Sequence, residues 1–389
     1  MRLELSLEDR AFQGEVRQFI QENLTPTLRA AEARNGATFC DVDAIAEWHG
    51  ILHRRGWVAP NWPTEYGGPG WTLVQRYIFA RECALAGAPR TFTFGLTMCG
   101  PVLMRYGTPK QKAHYLPRIL SGEDRWCQGY SEPGAGSDLA SLATRAKADG
   151  DDFIVDGAKI WTTFAHHANR MFCLVRTDPA AKPQRGISFL LIDLATPGVS
   201  MRPIVNIAGD HEFNQVFFDA VRVPKANLVG QENDGWTVAK YLLEFERGTE
   251  YAPKAASMLD HARRLAKACE ADDEALALRI AQAEIDMHAL EMTELRVMSA
   301  LSVGEPTGAM ASVLKLKGSE LIQRIDELAL DILGGYAAPL QPPGGNETVI
   351  GPEEGRVVAA RYLYDRAITI YGGTSEVQRN ILARAVLGV

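Results

Sequence analysis

Apolar positions along this chain change their period twice. From residue 1 to about 120 they recur at helical spacing, broken by turn clusters such as Asn61-Trp62-Pro63 and Tyr66-Gly67-Gly68-Pro69-Gly70. Between about 121 and 232 the pattern shortens into strand-like runs. Phe153-Ile154-Val155, Met171-Phe172-Cys173-Leu174-Val175, Ile187-Ser188-Phe189-Leu190-Leu191-Ile192 and Gln215-Val216-Phe217-Phe218 are the clearest. Their spacing, with Asp149-Gly150-Asp151-Asp152 and Thr196-Pro197-Gly198 between them, predicts antiparallel meanders closing into a small barrel. From about 233 to 389 helical periodicity returns in long Ala- and Leu-rich segments. Pro339 to Gly355 is the exception: its Pro and Gly density marks a loop, with no functional assignment. The predicted fold class is α+β, ordered as a helical domain (1–120), a β-barrel domain (121–232) and a second helical domain (233–389).

Length and composition agree with several cores. At 389 residues the chain exceeds what one hydrophobic core usually serves. A net charge of −7 weighs against a nucleic-acid or anionic-membrane partner. The six cysteines (Cys40, Cys83, Cys99, Cys127, Cys173, Cys269) lie far apart without a C-x-x-C pair. That spacing predicts reduced thiols and a cytoplasmic protein, neither a disulfide framework nor a zinc site. Met1-Arg2-Leu3-Glu4-Leu5-Ser6 holds no long apolar stretch, so no secretory signal is expected, and no run of 18 apolar residues predicts a membrane span. The terminal Leu387-Gly388-Val389 is not a peroxisomal address.

Three strings carry candidate chemistry. In Gly129-Tyr130-Ser131-Glu132-Pro133-Gly134-Ala135-Gly136-Ser137-Asp138, small residues let backbone approach a bulky ligand, and the N–H groups can line an anion. The spacing is not that of a dinucleotide-binding G-x-G-x-x-G, and by composition alone a surface turn is equally compatible. Downstream, Gly157-Ala158-Lys159-Ile160-Trp161-Thr162-Thr163 reads as a strand; the adjacent His166-His167, which on a strand would point to opposite faces and not share one metal easily, are expected as surface or loop residues. A helix is predicted from Gly235 to Gly248. Val238, Leu242 and Phe245 form its apolar stripe, Glu246 falls on that stripe, and Lys240 and Glu244 project elsewhere. A carboxylate on an apolar face is costly without a partner or a task. Desolvation would raise its pKa toward the range of a general base; an ion pair with another helix is the competing reading.

These strings, in this order, resemble the acyl-CoA dehydrogenases across essentially the whole chain. Trp62-Pro63-Thr64-Glu65-Tyr66-Gly67-Gly68 and Tyr106-Gly107-Thr108-Pro109-Lys110-Gln111-Lys112 add to the likeness. The resemblance implies an N-terminal helical domain, a middle β-barrel, a C-terminal four-helix bundle and an FAD cofactor. It places Gln128, Tyr130, Ser131 and Ser137 against FAD, with Ser137 also at the CoA moiety. Trp161 would pack on the isoalloxazine, and the Thr163 hydroxyl would donate to flavin N5. Asp331-Ile332-Leu333-Gly334-Gly335 resembles the family's Gln-x-x-Gly-Gly element, which puts Asp331, Gly334 and Gly335 near the flavin pyrophosphate. Thr374 and Glu376 match further FAD contacts.

One position departs from the commonest family pattern. Ile370-Tyr371-Gly372-Gly373-Thr374 resembles the C-terminal Ile-Tyr-Glu-Gly-Thr, but Gly372 stands where many members carry the catalytic Glu. Members similar to the isovaleryl- and long-chain enzymes carry the base on an internal helix instead, before an Arg, as in Phe245-Glu246-Arg247-Gly248. The resemblance therefore implies Glu246 as base, the Gly372 N–H as a donor to the thioester carbonyl, and Arg247 and Gly373 beside the substrate. It further implies conversion of an acyl-CoA to a trans-2-enoyl-CoA, an electron-transfer flavoprotein as acceptor, and a homo-oligomer (dimer or tetramer) or a heteromer. An Arg-x-x-Phe-Gly element, used by many members to reach FAD across a subunit interface, is missing between His261 and Glu284, which holds only Arg263, Arg264 and Arg279. Two alternatives stay open: a non-catalytic or FAD-sharing subunit of a heteromeric enzyme, and an oxidase or monooxygenase on the same fold.

Overall fold

The computed structural model describes residues 5–246, 251–271, 273–302, 308–341 and 348–388, without the side chains of 244–246 and 301–302. The chain opens with helices α1 (Leu7–Asn23), α2 (Pro26–Ala33), α3 (Val42–Arg55) and α4 (Leu73–Ala86). A π-helical turn, Phe94–Cys99, then runs into α5 (Gly100–Tyr106), followed by α6 (Pro109–Ser121). Their starts are written locally. Thr72 and Thr108 each close a reciprocal capping box with a Gln three residues on, and Pro109 occupies the first turn of α6, where its missing N–H costs nothing. Trp62 lies fully buried at the centre, its indole N–H donating to the Leu96 carbonyl at 2.6 Å. Gly68 is obligatory beside it, since a Cβ there would sit 1.8 Å from the Trp62 carbonyl oxygen. Part of the Trp62–Gly68 string is thus explained by packing alone.

Eight strands follow: β1 (Trp126–Gly129), β2 (Arg145–Asp149), β3 (Asp152–Thr163), β4 (Arg170–Arg176), β5 (Ile187–Asp193), β6 (Val199–Ile204), β7 (Phe213–Pro224) and β8 (Leu228–Val229). All four predicted apolar runs lie within strands. The continuous runs in β4 and β5 are buried on both faces, whereas β3 and β7 alternate and leave one face open. The predicted barrel is not what forms. The path β6-β7-β3-β2-β4-β5-β8 is an open sheet, with β1 added parallel to β4 and no pairing between β6 and β8. Helices cover the face that an opposite wall would cover in a barrel: Phe172, Leu174, Phe189 and Leu191 share a core with Leu103 and Leu116 of the first helices.

The last part is helical: α7 (Gly235–Glu246), α8 (Tyr251–Ala268), α9 (Glu274–Ser302), α10 (Met310–Leu333), α11 (Val358–Tyr364) and α12 (Ser375–Leu387). Helices α8, α9 and α10 pack on one another, with α11 and α12 against α10. Helix α7 stands apart, lying on β5, α5 and the π-turn. Its buried Val238 and Leu242 join the N-terminal core, as the predicted stripe requires. In the loop after α10, the buried Gln341 side chain donates to the Ile350 carbonyl and accepts from its N–H, at 3.0 and 2.9 Å. Among the described residues, no helix is long and apolar enough to cross a membrane, and all six cysteines are free thiols.

Candidate active site

Construction of the glycine-rich loop starts from a buried ion pair. Lys159, inside β3 and fully buried, donates to Glu132 Oε1 at 2.7 Å and to the Tyr130 carbonyl at 3.1 Å. The same carboxylate accepts from the Ala143 and Thr144 N–H groups at 2.6 and 2.9 Å. Burial alone would push the Glu132 carboxyl up; the Lys159 charge and these hydrogen bonds outweigh it and hold it below the usual carboxylate range. Glu132 also exchanges backbone hydrogen bonds with Ala135, closing the loop on itself. The Ser131 carbonyl accepts from the Ile160 N–H at 2.9 Å, fixing the loop to β3. Gln128 on β1, Tyr130 and Ser131 in the loop, and Trp161 and Thr163 at the end of β3 therefore belong to neighbouring segments, with Ser137 exposed farther along the loop.

Trp161 does not anchor the sheet. It sits at a register shift in β3 with φ +58°, 57% exposed, its ring edge-on to Phe213 at 6.0 Å. Thr163 opens to the same side, while Thr162 between them is buried. Two buried polar atoms here, Gln128 Nε2 and Thr162 Oγ1, have no hydrogen-bond partner among the described residues. Unpaired buried polar groups, a bulky indole left exposed in a strained conformation, and hydroxyls beside it form a cradle suited to a planar polar ring system.

Phe164, also at positive φ (+62°), ends β3 and turns the chain into a 3-10 turn, Ala165–His167. His166 and His167 thus lie in a loop, as expected of them, but not at its surface. They are half-buried with rings 4.1 Å apart, and His166 stacks on His211 at 4.0 Å. Burial, then the neighbouring His167 and His211, lower the His166 pKa to about 4. Nδ1 of this neutral ring accepts from Asn214 Nδ2 at 3.0 Å.

The C-terminal motif forms a glycine turn. Gly372 and Gly373 have φ +63° and +88°, which favour glycine, and a Cβ on Gly373 would meet Gln378 Nε2 at 2.5 Å. The fully buried Gln378 donates to both glycine carbonyls, at 3.4 and 3.2 Å. Among the described residues, no protein acceptor takes the Gly372 N–H. Thr374 caps α12, its hydroxyl accepting from the Val377 N–H at 3.2 Å, and Glu376 is exposed in the first turn. Glu246 is the last residue of α7; its side chain, and all of Arg247, lie outside the described residues.

Asp331, Gly334 and Gly335 lie elsewhere on the surface. Asp331 pairs with Arg279 at 2.7 Å, and Gly334–Ala337 form an exposed turn after α10. No described hydrogen bond, ion pair or ring contact links them to the glycine-rich loop, β3 or the glycine turn. Arg263 and Arg264 are paired as well, with Glu284 (2.6 Å) and Asp260. Sequence reasoning missed the Glu132–Lys159 pair. A lysine at an inward position of an apolar strand was the available signal.

Comparison with known proteins fits this geometry. Family models for the acyl-CoA dehydrogenase N-terminal, middle and C-terminal domains match residues 6–123, 127–221 and 233–387. The chain belongs to the acyl-CoA dehydrogenase family. It is 39% identical over 389 residues to acyl-CoA dehydrogenase IpdE1 of Mycobacterium tuberculosis, across 97% of both chains. Among solved structures it resembles the Tcur3481-Tcur3483 steroid ACAD (TM-score 0.87, 30% identity, 100% of this chain and 99% of that one). It also resembles the ChsE4-ChsE5 complex from Mycobacterium tuberculosis (TM-score 0.84, 32% identity, 100% and 99%). An acyl-CoA dehydrogenase is an FAD-dependent oxidoreductase of lipid metabolism, and the cradle along β1 and β3 fits that cofactor.

Proposed function

We propose that this acyl-CoA dehydrogenase forms the trans-2-enoyl-CoA from its acyl-CoA thioester, with Glu246 as the base. The observation that carries this reading is the glycine turn: Gly372 offers an uncommitted N–H and no carboxylate. The base must then come from another element, and α7 ends in a carboxylate beyond a buried apolar stripe. The Gly372 N–H would hold the thioester carbonyl and stabilise the enolate-like charge that develops as the α-proton leaves. Glu246 would receive that proton. Bound FAD would supply the two-electron acceptor for the hydride leaving the β-carbon. Trp161 and Thr163 would wall the ring; Gln128, Tyr130, Ser131, Ser137, Thr374 and Glu376 would contact the cofactor; Arg247, Gly373 and Ser137 would face the substrate. Asp331, Gly334 and Gly335, which lie elsewhere on this chain's surface, would reach FAD only from a neighbouring copy. In this reading the division 1–120, 121–232 and 233–389 puts the flavin loops in the middle domain and the base in the last.

The name of the Tcur3481-Tcur3483 steroid ACAD supports a steroid-derived acyl group as the substrate class to test first; the family resemblance favours an electron-transfer flavoprotein as acceptor, and the free thiols favour a cytoplasmic setting. The names of the similar structures also favour a second reading, in which this chain is one member of a heteromer. Arg263, Arg264 and Arg279 are all in ion pairs, which supports FAD being completed from a partner chain's residues. Purifying the chain alone separates the two. A yellow protein bleached by acyl-CoA in dye-linked assays supports the first. A colourless protein that acquires FAD only with a related chain supports the second.

A further inference from the structure

Two positive-φ side-chain residues, Trp161 in β3 and Phe164 just after it, bracket Thr162 and Thr163 at the cradle. Each such conformation is strained for a side-chain residue and persists only where the surroundings over-determine it. The four residues His211–Asn214 do this. The Glu212 carbonyl accepts from the Phe164 N–H at 2.8 Å, the Phe213 ring meets Trp161 edge-on, and Asn214 Nδ2 donates to the Thr162 carbonyl at 3.1 Å. These four residues are themselves fixed from outside the sheet. The buried Glu212 carboxylate accepts from the Tyr364 hydroxyl at 2.7 Å and from the Thr38 N–H at 3.3 Å. Because the phenolic hydrogen is committed to Glu212, the Thr38 hydroxyl donates to the Tyr364 oxygen. Tyr364 also stacks on Phe213, centroids 6.4 Å apart and planes 7° from parallel. Thr38 precedes α3, Glu212 precedes β7 and Tyr364 ends α11, so all three parts of the chain meet at one carboxylate.

We propose that Glu212 is a positioning residue for the flavin-facing turn, locking Trp161 and Thr163 in place through Phe164 and Phe213 by means of its contacts to Thr38 and Tyr364. This rests on the reading that Trp161 faces bound FAD. Neither Glu212 nor Tyr364 needs to touch the cofactor.

The test uses the holoenzyme as wild type, Glu212→Gln, Tyr364→Phe, Trp161→Phe and the Trp161→Phe/Glu212→Gln double variant. Visible circular dichroism of bound FAD reads the asymmetry of the ring's surroundings, and FAD release is timed by fluorescence. Glu212→Gln and Tyr364→Phe should each alter the dichroism and speed FAD release on the order of tenfold, the scale of a lost hydrogen bond to a charged group. In the Trp161→Phe background the Glu212→Gln effect on dichroism should largely vanish, because coupled residues are not additive. If Trp161→Phe changes the dichroism while Glu212→Gln and Tyr364→Phe do not, or if the effects simply add, the positioning role is overturned and the flavin placement stands. If Trp161→Phe leaves it unchanged, Trp161 does not face the flavin and the inference falls with that reading. Should Glu212→Gln fail to fold, Tyr364→Phe, which keeps the ring and removes only the hydroxyl, decides alone.

Discussion

The glycine-rich loop and the three-domain seam both brace the Trp161–Thr163 end of β3 with a buried carboxylate, but by opposite means. Glu132 is neutralised by a fully buried cation, Lys159, and its carboxyl is held low. Glu212 is met by neutral donors, the Tyr364 hydroxyl and the Thr38 backbone N–H; burial pushes its carboxyl up, and hydrogen bonding only partly offsets the shift. A paired charge fixes a loop that must stay rigid in one domain. A carboxylate with neutral partners joins segments from three domains without requiring a second buried charge, whose desolvation is the larger cost.

The contrast can be broken most forcefully at the ion pair. Lys159→Met should destabilise the protein by about 3–5 kcal/mol, because it strands Glu132 as an uncompensated buried charge; urea unfolding measures it. Adding Glu132→Gln should recover part of that loss. At the seam, Tyr364→Phe should cost less, about 1–3 kcal/mol, since only a hydrogen bond is removed. Equal losses at the two sites would erase the distinction.

Acid should separate the regions further. Glu132, with its folded pKa depressed, contributes stability that is complete above the ordinary carboxylate range and lost as pH falls through its lower folded value. Glu212, with its folded pKa raised, contributes stability that is complete below that range and lost as pH rises through its folded value. Hydrogen exchange should therefore show residues 129–138 loosening below about pH 4.5 while residues 211–214 stay protected. Parallel loosening would contradict the assignment of charge states. The smallest effect is expected at an exposed pair used as reference: Arg279→Ala, which frees Asp331, should cost no more than about 1 kcal/mol.

Much of the fold was legible because periodicity is local. The runs of β3, β4, β5 and β7, the turn glycines and the Val238–Leu242 stripe all announce themselves within a few residues. The braces do not. Glu132 and Lys159 are 27 residues apart, Glu212 and Tyr364 152, Thr38 and Tyr364 326. No repeat or spacing marks such pairs; only the folded sheet brings them together. The barrel failed for a related reason, since strand spacing does not report whether the first and last strands of a sheet meet. His166 and His167 were expected in a loop or at the surface; the positive φ of Phe164 does end the strand before them, but the stacking of His166 on His211 is a long-range contact that no local pattern marks.

The most direct test of the proposed chemistry is anaerobic titration of the purified FAD-loaded protein with acyl-CoA, following flavin absorbance in wild type and Glu246→Gln. Loss of a general base should slow bleaching by roughly a hundredfold to ten-thousandfold, with FAD still bound and its spectrum intact. Bleaching at the wild-type rate in Glu246→Gln would show that the α-proton leaves to another group.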